Sequence, residues 1–171
     1  MIKEWKKKSS KYLLENKIFK LREDIVQSPK LETEHKVWAM EVPTWVNIIP
    51  ITSLGEVILV NQYRFGMEKF SLEIPGGMSD IGEDPMLAAT RELKEETGYV
   101  GKKVLEIGRV ESNPAIMSNH TYTYLALDCE KISDQSLDGT EDIEIVKKNI
   151  DNNFKSTFKN NIILQDLFSH K

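Results

Sequence analysis

The stretch GMSDIGEDPMLAATRELKEETGY, residues 77–99, sets Gly77, Glu83, Arg91, Glu92, Glu95, Glu96 and Gly98 at fixed offsets around an apolar Leu93. It also contains its own helix signals. Asp84 is a good N-cap, Pro85 stands where a missing N–H costs nothing, and Gly98 supplies a left-handed stop. The segment 85–97 is therefore expected to be helical. Met86, Ala89 and Leu93 recur at spacings of three and four and predict a core-facing stripe, while Glu92, Glu95 and Glu96 fall one turn apart on a neighbouring face.

Three carboxylates on one short helix face have an energetic problem. An Arg91–Glu95 pair at i, i+4 contributes only about 0.3–0.5 kcal/mol. Two carboxylates about 5 Å apart repel by about 3 kcal/mol at an effective dielectric of about 20. Repulsion wins unless a cation is present, and hard oxygen ligands of this kind suit Mg²⁺ or Mn²⁺, completed by water and substrate phosphates.

The spacing resembles the Nudix box: glycine, five residues, glutamate, seven residues, then Arg-Glu-apolar-x-Glu-Glu-x-Gly-apolar. Seven residue types, each at roughly 7% abundance or less, coincide by chance at about one start in ten million or fewer. The one departure is Tyr99, where the pattern prefers an aliphatic side chain. The resemblance implies that Glu92 and Glu96 bind metal directly with the backbone carbonyl of Gly76. Glu95 would act as a ligand or through water, and Arg91 and Glu83 would hold the carboxylates in ligating rotamers. Glu95 and Arg91 thus join the catalytic set. The implied reaction is attack of water on a diphosphate linkage X–diphosphate–Y.

Further residues match one branch of that family, the ADP-ribose and nucleoside-diphosphate-sugar pyrophosphatases. Pro114 lies sixteen positions beyond Gly98, and Gln62-Tyr63-Arg64 ends the strand ahead of the box, with Arg64 suited to clamp a phosphate. Glu73 is a further acid near the metal. A general base is expected on a loop before a late strand, where Glu141, Asp142 and Glu144 are available and alignment favours Glu141. Trp5 and Trp45 are candidates for stacking on the nucleobase, the former on an N-terminal segment exchanged between protomers. His120 could approach a sugar or phosphate. The implied product pair is a nucleoside monophosphate and a sugar phosphate. A nucleoside-triphosphate or dinucleoside-polyphosphate hydrolase, and a non-catalytic nucleotide-sugar sensor, are the rival readings.

The rest of the chain sets limits. With 171 residues, 40% of them hydrophobic, it fits one globular domain plus an N-terminal appendage. The single cysteine, Cys129, excludes a disulfide scaffold and is expected to be buried. No apolar run reaches about 18 residues, so no membrane partner and a cytoplasmic setting are expected. A net charge of −4 argues against non-specific nucleic-acid binding. The lysines among residues 3–11 read as a solvated terminus.

Strands are expected at 17–26 and 35–42, split by Ser28-Pro29. A hairpin follows at 46–52 and 56–64, then a short strand in SLEIPGG, and more in KKVLEIGRV, TYTYLALDC and DIEIVKK. Phe154, Phe158 and Ile162 suggest a closing helix. The class is α/β. The resemblance makes it an α/β/α Nudix sandwich with a mixed sheet over residues 44–171, preceded by a β-hairpin extension over 1–43 that pairs two copies as a homodimer.

Overall fold

A computed structural model describes residues 1–150 of the chain. The N-terminal strands β1 (Lys6–Glu15), β2 (Lys20–Gln27) and β3 (Glu34–Glu41) form an antiparallel meander in the order β1-β2-β3. The expected hairpin is thus extended by a strand from the lysine-rich start. Its ten residues are all exposed, and it pairs by charge: Lys11 lies 3.2 Å from Glu23 and Lys7 3.9 Å from Asp24. Local sequence reads as solvated because the acids that neutralise it come from β2. The Ser28-Pro29 break forms a turn in which the Ser28 hydroxyl accepts from the N–H groups of Lys30 and Leu31.

The second sheet holds β4 (Trp45–Thr52), β5 (Glu56–Arg64), β6 (Lys69–Glu73), β7 (Gly76–Met78), β8 (Tyr99–Val100), β9 (Lys103–Glu111), β10 (His120–Lys131) and β11 (Ile143–Asn149). Its order is β11-β5-β4-β10-β8, with β6 on β5, β7 on β4 and β9 on β10. β10 runs parallel to β4 and the other pairs are antiparallel, so the sheet is mixed, as expected.

The sheet splits where the site forms. β4 and β5 share one register pair, Ile51↔Val57. Beyond it Trp45–Asn47 pairs with β7, while Val60–Arg64 pairs with β6. Two arms therefore diverge, and the segment Glu73–Gly76 joins their ends.

Helix α1 (Pro85–Thr97) starts at Asp84, whose side chain accepts from Met86 N and Leu87 N, and stops at Gly98, which is left-handed at φ 74°. It covers one face of the sheet through a cluster including Val46, Ile48, Ile58, Ala88, Ala89, Leu93 and Tyr124. The buried stripe differs from the expected one: Met86 stays 37% exposed, while Ala88, Glu96 and Thr97 are buried with Ala89 and Leu93. Two adjacent alanines bring the helix close to the sheet, which draws its last turn inward and leaves the first-turn methionine at the margin. Cys129 is buried in the same cluster. On the opposite face Ile49, Val57 and Leu59 form a second cluster with Leu72, Ile107 and Leu125. The closing helix expected from Phe154, Phe158 and Ile162 lies outside the described residues.

Candidate active site

Arg91 organises the helix side. Its guanidinium grips Glu83 with two N–H groups (3.0 and 3.1 Å) and donates to Glu92 (2.8 Å), Glu95 (2.9 Å) and the Met78 carbonyl (3.2 Å). Glu83 also accepts from Asp80 N at 2.9 Å, which fixes the loop ahead of the helix. The i, i+4 contact with Glu95 is one part of what Arg91 does. In the fold it bridges three carboxylates, because its planar fork can serve several acceptors at once.

Glu96 is left outside that arrangement. It is 4% exposed and accepts one hydrogen bond, from Gly76 N at 3.0 Å. Burial pushes its carboxyl up to about 8; the Gly76 N–H pulls the other way, and the charges of Glu92 and Glu141 add to the rise. Glu92 is also raised, by burial first, with Arg91 opposing and Glu95 and Glu141 adding to it. Gly77 makes room for this carboxylate: a Cβ there would stand 2.5 Å from the Glu92 carboxyl carbon. The helix acids therefore press against the Gly76-Gly77 backbone of β7.

Across the split in the sheet is a cleft of about 760 Å³, lined by Trp45, Gln62, Arg64, Glu73, Glu141 and Asp142 among others. Glu73 holds Arg64 from two sides, Nε to Oε1 at 3.0 Å and Nη2 to Oε2 at 2.6 Å. Burial raises the Glu73 carboxyl, but the hydrogen bonds from Arg64 and Ser71 outweigh it and leave it below its usual value. Trp45 is oriented by its indole N–H, which donates to Asn47 Oδ1 at 2.9 Å. Of the three loop acids, Glu144 is engaged by Asn61 Nδ2 at 3.0 Å, whereas Glu141 and Asp142 border the cleft. Glu141 accepts from Asp138 N at 3.1 Å, and its charge reaches Glu92 and Glu96.

A family model for the NUDIX domain matches residues 43–149. This chain belongs to the NUDIX family. Among curated relatives, the ADP-ribose pyrophosphatase of Bacillus subtilis (strain 168) is 32% identical over 114 residues, 66% of this chain and 62% of that protein. The chain thus spans less than two thirds of that relative. The methanol dehydrogenase activator of Bacillus methanolicus is 30% identical over 140 residues, 81% of this chain and 75% of its own. A crystal structure of an ADP compounds hydrolase superposes with a TM-score of 0.77 at 22% identity, covering 92% of this chain and 84% of that one, a likeness of fold. The resemblance drawn from residues 77–99 holds, and the names of these relatives include the expected ADP-ribose branch.

NUDIX enzymes work with a divalent cation, and the residues here suit one. The buried Glu96 and the half-buried Glu92, both with raised proton affinity, flank the Gly76-Gly77 backbone and offer hard oxygen donors. Among the described residues no three acidic, histidine or cysteine side chains converge as a ready-made cage. Arg91 draws Glu92 and Glu95 aside while Gly76 N engages Glu96, so a cation would share these oxygens with the arginine and the amide.

Other expected residues lie apart from this NUDIX cleft within the chain. Trp5 precedes β1, whose first residue Lys6 pairs with Gln27, whereas the end that leads to β4 is the Lys20↔Glu41 end. At the Gln27 end Trp5 meets His35 edge-on at 5.6 Å. Pro114 is exposed on a loop that docks on the first sheet, with Met40 N donating to Ile116 O at 2.7 Å and Asn119 Nδ2 to Pro43 O at 3.2 Å. His120 lies 3.7 Å from Glu111 and edge-on to Tyr122. Phe65, Met67 and Thr140 also line the cleft, and none of them is among the expected site residues. Adjacency to Arg64 and Glu141 was the available signal.

Proposed function

We propose that this NUDIX protein hydrolyses the diphosphate of ADP-ribose or a related nucleoside-diphosphate sugar, releasing a nucleoside monophosphate and a sugar phosphate. The observation that carries the reading is the cleft itself. It joins an oriented arginine, an indole and a loop carboxylate whose charge is felt at the paired helix acids. Because Glu73 occupies Nε and one face of Nη2, Arg64 keeps its Nη1 donors for a phosphate and cannot swing away from it. Trp45 offers an apolar plate for the nucleobase. Glu92, Glu96 and the Gly76 carbonyl would hold Mg²⁺ or Mn²⁺, with Glu95 nearby and Arg91 fixing the set. Such an ion, when bound, stabilises charge on the phosphate oxygens and lowers the pKa of water. Glu141, free of the metal set, takes the proton from the attacking water.

Residues 1–43 serve in this reading as a dimerisation element and 44–171 as the hydrolase domain. In the homodimer Trp5 would serve the partner's cleft, and the Pro114 loop, tied to the first sheet, would shape the sugar side. The free, buried Cys129, whose thiol burial pushes up to about 11, suits a reducing cytoplasm. The deciding experiment is a panel with Mg²⁺ or Mn²⁺: ADP-ribose, ADP-glucose, GDP-mannose, UDP-glucose, a diadenosine polyphosphate and nucleoside triphosphates, scored for monophosphate release. Preference for an ADP-sugar is expected. Preference for triphosphates would replace the substrate assignment, and binding without turnover would make the protein a sensor.

A further inference from the structure

The segment between β10 and β11 passes the C-terminal end of α1 and closes it. A helix end leaves its last carbonyls without intrahelical partners. Here the Gly98 N–H takes the Lys94 carbonyl at 2.8 Å, Ser136 N takes that of Glu95 at 2.8 Å, and the Gln135 side chain takes that of Glu96 at 2.7 Å. Gln135 has a second amide proton, and it goes to the Ile143 carbonyl at 3.0 Å. Ile143 is buried, opens β11 and faces Gln62 across the sheet. One half-buried amide thus ties the residue bearing the buried helix carboxylate to the strand that begins two residues after Glu141.

Between these two anchor points the chain makes an excursion. Among the described residues, the hydrogen bonds of 137–142 are a turn closed on itself, with Glu141 N donating to Asp138 O at 2.9 Å and Asp138 N to the Glu141 carboxylate at 3.1 Å. Nothing within the excursion fixes its distance from the helix. Its ends do that, through Ser136 and through both protons of Gln135.

We propose that Gln135 is a positioning residue for Glu141: by clamping the base of the acidic loop to the last turn of α1, it sets how far that carboxylate reaches toward Glu92 and Glu96. The inference rests on the hydrolase reading given above. A methionine at position 135 keeps the length and loses both donors. A glutamate presents acceptors to two carbonyls, so Gln135→Glu should be at least as damaging.

The test compares Gln135→Met with wild type in the full chain. Turnover on the best ADP-sugar of the panel should fall between about ten- and a hundredfold, as for a misplaced reacting group. KM and Mn²⁺ uptake by calorimetry should hold at wild-type values. Glu141→Gln alone should cost about a hundredfold or more. The double variant should fall no lower than Glu141→Gln, since one residue acts through the other. Amide hydrogen exchange over 137–142 should quicken in Gln135→Met while exchange in α1 and β11 keeps its protection, which also shows the variant is folded. Wild-type turnover, additive losses, unchanged exchange, or a loss of Mn²⁺ affinity equal to the loss of turnover would each overturn the proposal. If the wild-type chain cleaves nothing in the panel, the hydrolase reading fails, and the exchange result still decides whether Gln135 holds the loop.

Discussion

Two arginines, Arg22 on the first sheet and Arg91 on α1, gather carboxylates in similar ways, yet only one of the two networks is complete. Arg22 bonds Asp24 at 3.0 Å through Nε and reaches Glu41 through Nη1. Asp24 also accepts from Ser10 and lies 3.9 Å from Lys7; Glu41 also accepts from Tyr12. Burial pushes Asp24 up, but its donors outweigh that, and it ends below its usual value. Glu41 is lowered by Arg22 first and Tyr12 second. Every acid there has its donors. Around Arg91 three glutamates, Glu83, Glu92 and Glu95, share one guanidinium, Glu96 beside them is met among the described residues by the Gly76 N–H alone, and Glu92 and Glu96 are raised. A buried acid that lacks donors costs stability. Glu92 and Glu96 have one donor each among the described residues and still keep raised proton affinities, and an acid pair short of positive charge marks a candidate site rather than a structural joint.

The largest effect should come from taking one acid out of each network. A carboxylate that holds the metal, the role proposed for Glu96, supplies several kcal/mol of charge stabilisation, so Glu96→Gln should lower turnover by about a thousandfold. Mn²⁺ uptake should vanish with it, while the metal-free protein at neutral pH melts higher because folding no longer has to protonate a buried carboxyl. Asp24→Asn should do the reverse, leaving turnover at the wild-type level and costing about 1–3 kcal/mol of stability through donors left without their acceptor. Turnover and calorimetry, with melting curves of both variants, check this. A Glu96→Gln protein that melts lower than wild type would erase the contrast.

Next are the arginines themselves. Arg91→Lys keeps the charge and loses the fork that serves Glu83, Glu92, Glu95 and Met78 together. Metal affinity should drop about 10–100-fold, the range for groups that orient ligands. Arg22→Lys should lower the melting temperature with no change in metal affinity. Equal metal affinities in the two lysine variants would mean that Arg91 has no part in arranging the ligands.

The same contrast explains what was legible in the sequence. Helix α1 was readable because its signals are local: Asp84 and Gly98 sit at its ends, and its carboxylates recur within two turns. β4, β5, β10 and the mixed sheet followed from apolar runs long enough to be buried on both faces. β1 was not readable, since a lysine-rich strand is stabilised by Glu23 and Asp24 on another strand. The Arg64–Glu73 grip was hidden for a related reason. Each residue was singled out separately, but only the β5–β6 pairing turns them toward one another and makes Glu73 a holder of Arg64. Gln135 carried no signal at all, because its importance lies in two carbonyls on other elements.

The smallest effect, and the most specific, is in the pH dependence of stability. Without metal the Glu96 carboxyl titrates near 8 in the folded protein and near 4.3 in an unfolded chain. Between those values the native state holds a proton that the unfolded state has released, so stability falls as pH rises through this window. Asp24 and Glu41 act in the opposite sense and elsewhere: their contribution is present above the ordinary carboxylate pKa and is lost as pH falls through their lowered values. In chelator the melting temperature should therefore drop between about pH 5.5 and 8, at about 2–4 °C for each kcal/mol. Saturating Mg²⁺ or Mn²⁺ should flatten this limb, because the ion takes the place of the proton on the buried acid. Glu96→Gln should have a smaller limb than wild type in chelator, what remains coming from the raised Glu92. A wild-type melting temperature in chelator that stays flat from pH 5.5 to 8, or a slope undiminished in Glu96→Gln, would show that Glu96 is as well satisfied on its own as the acids of the Arg22 network.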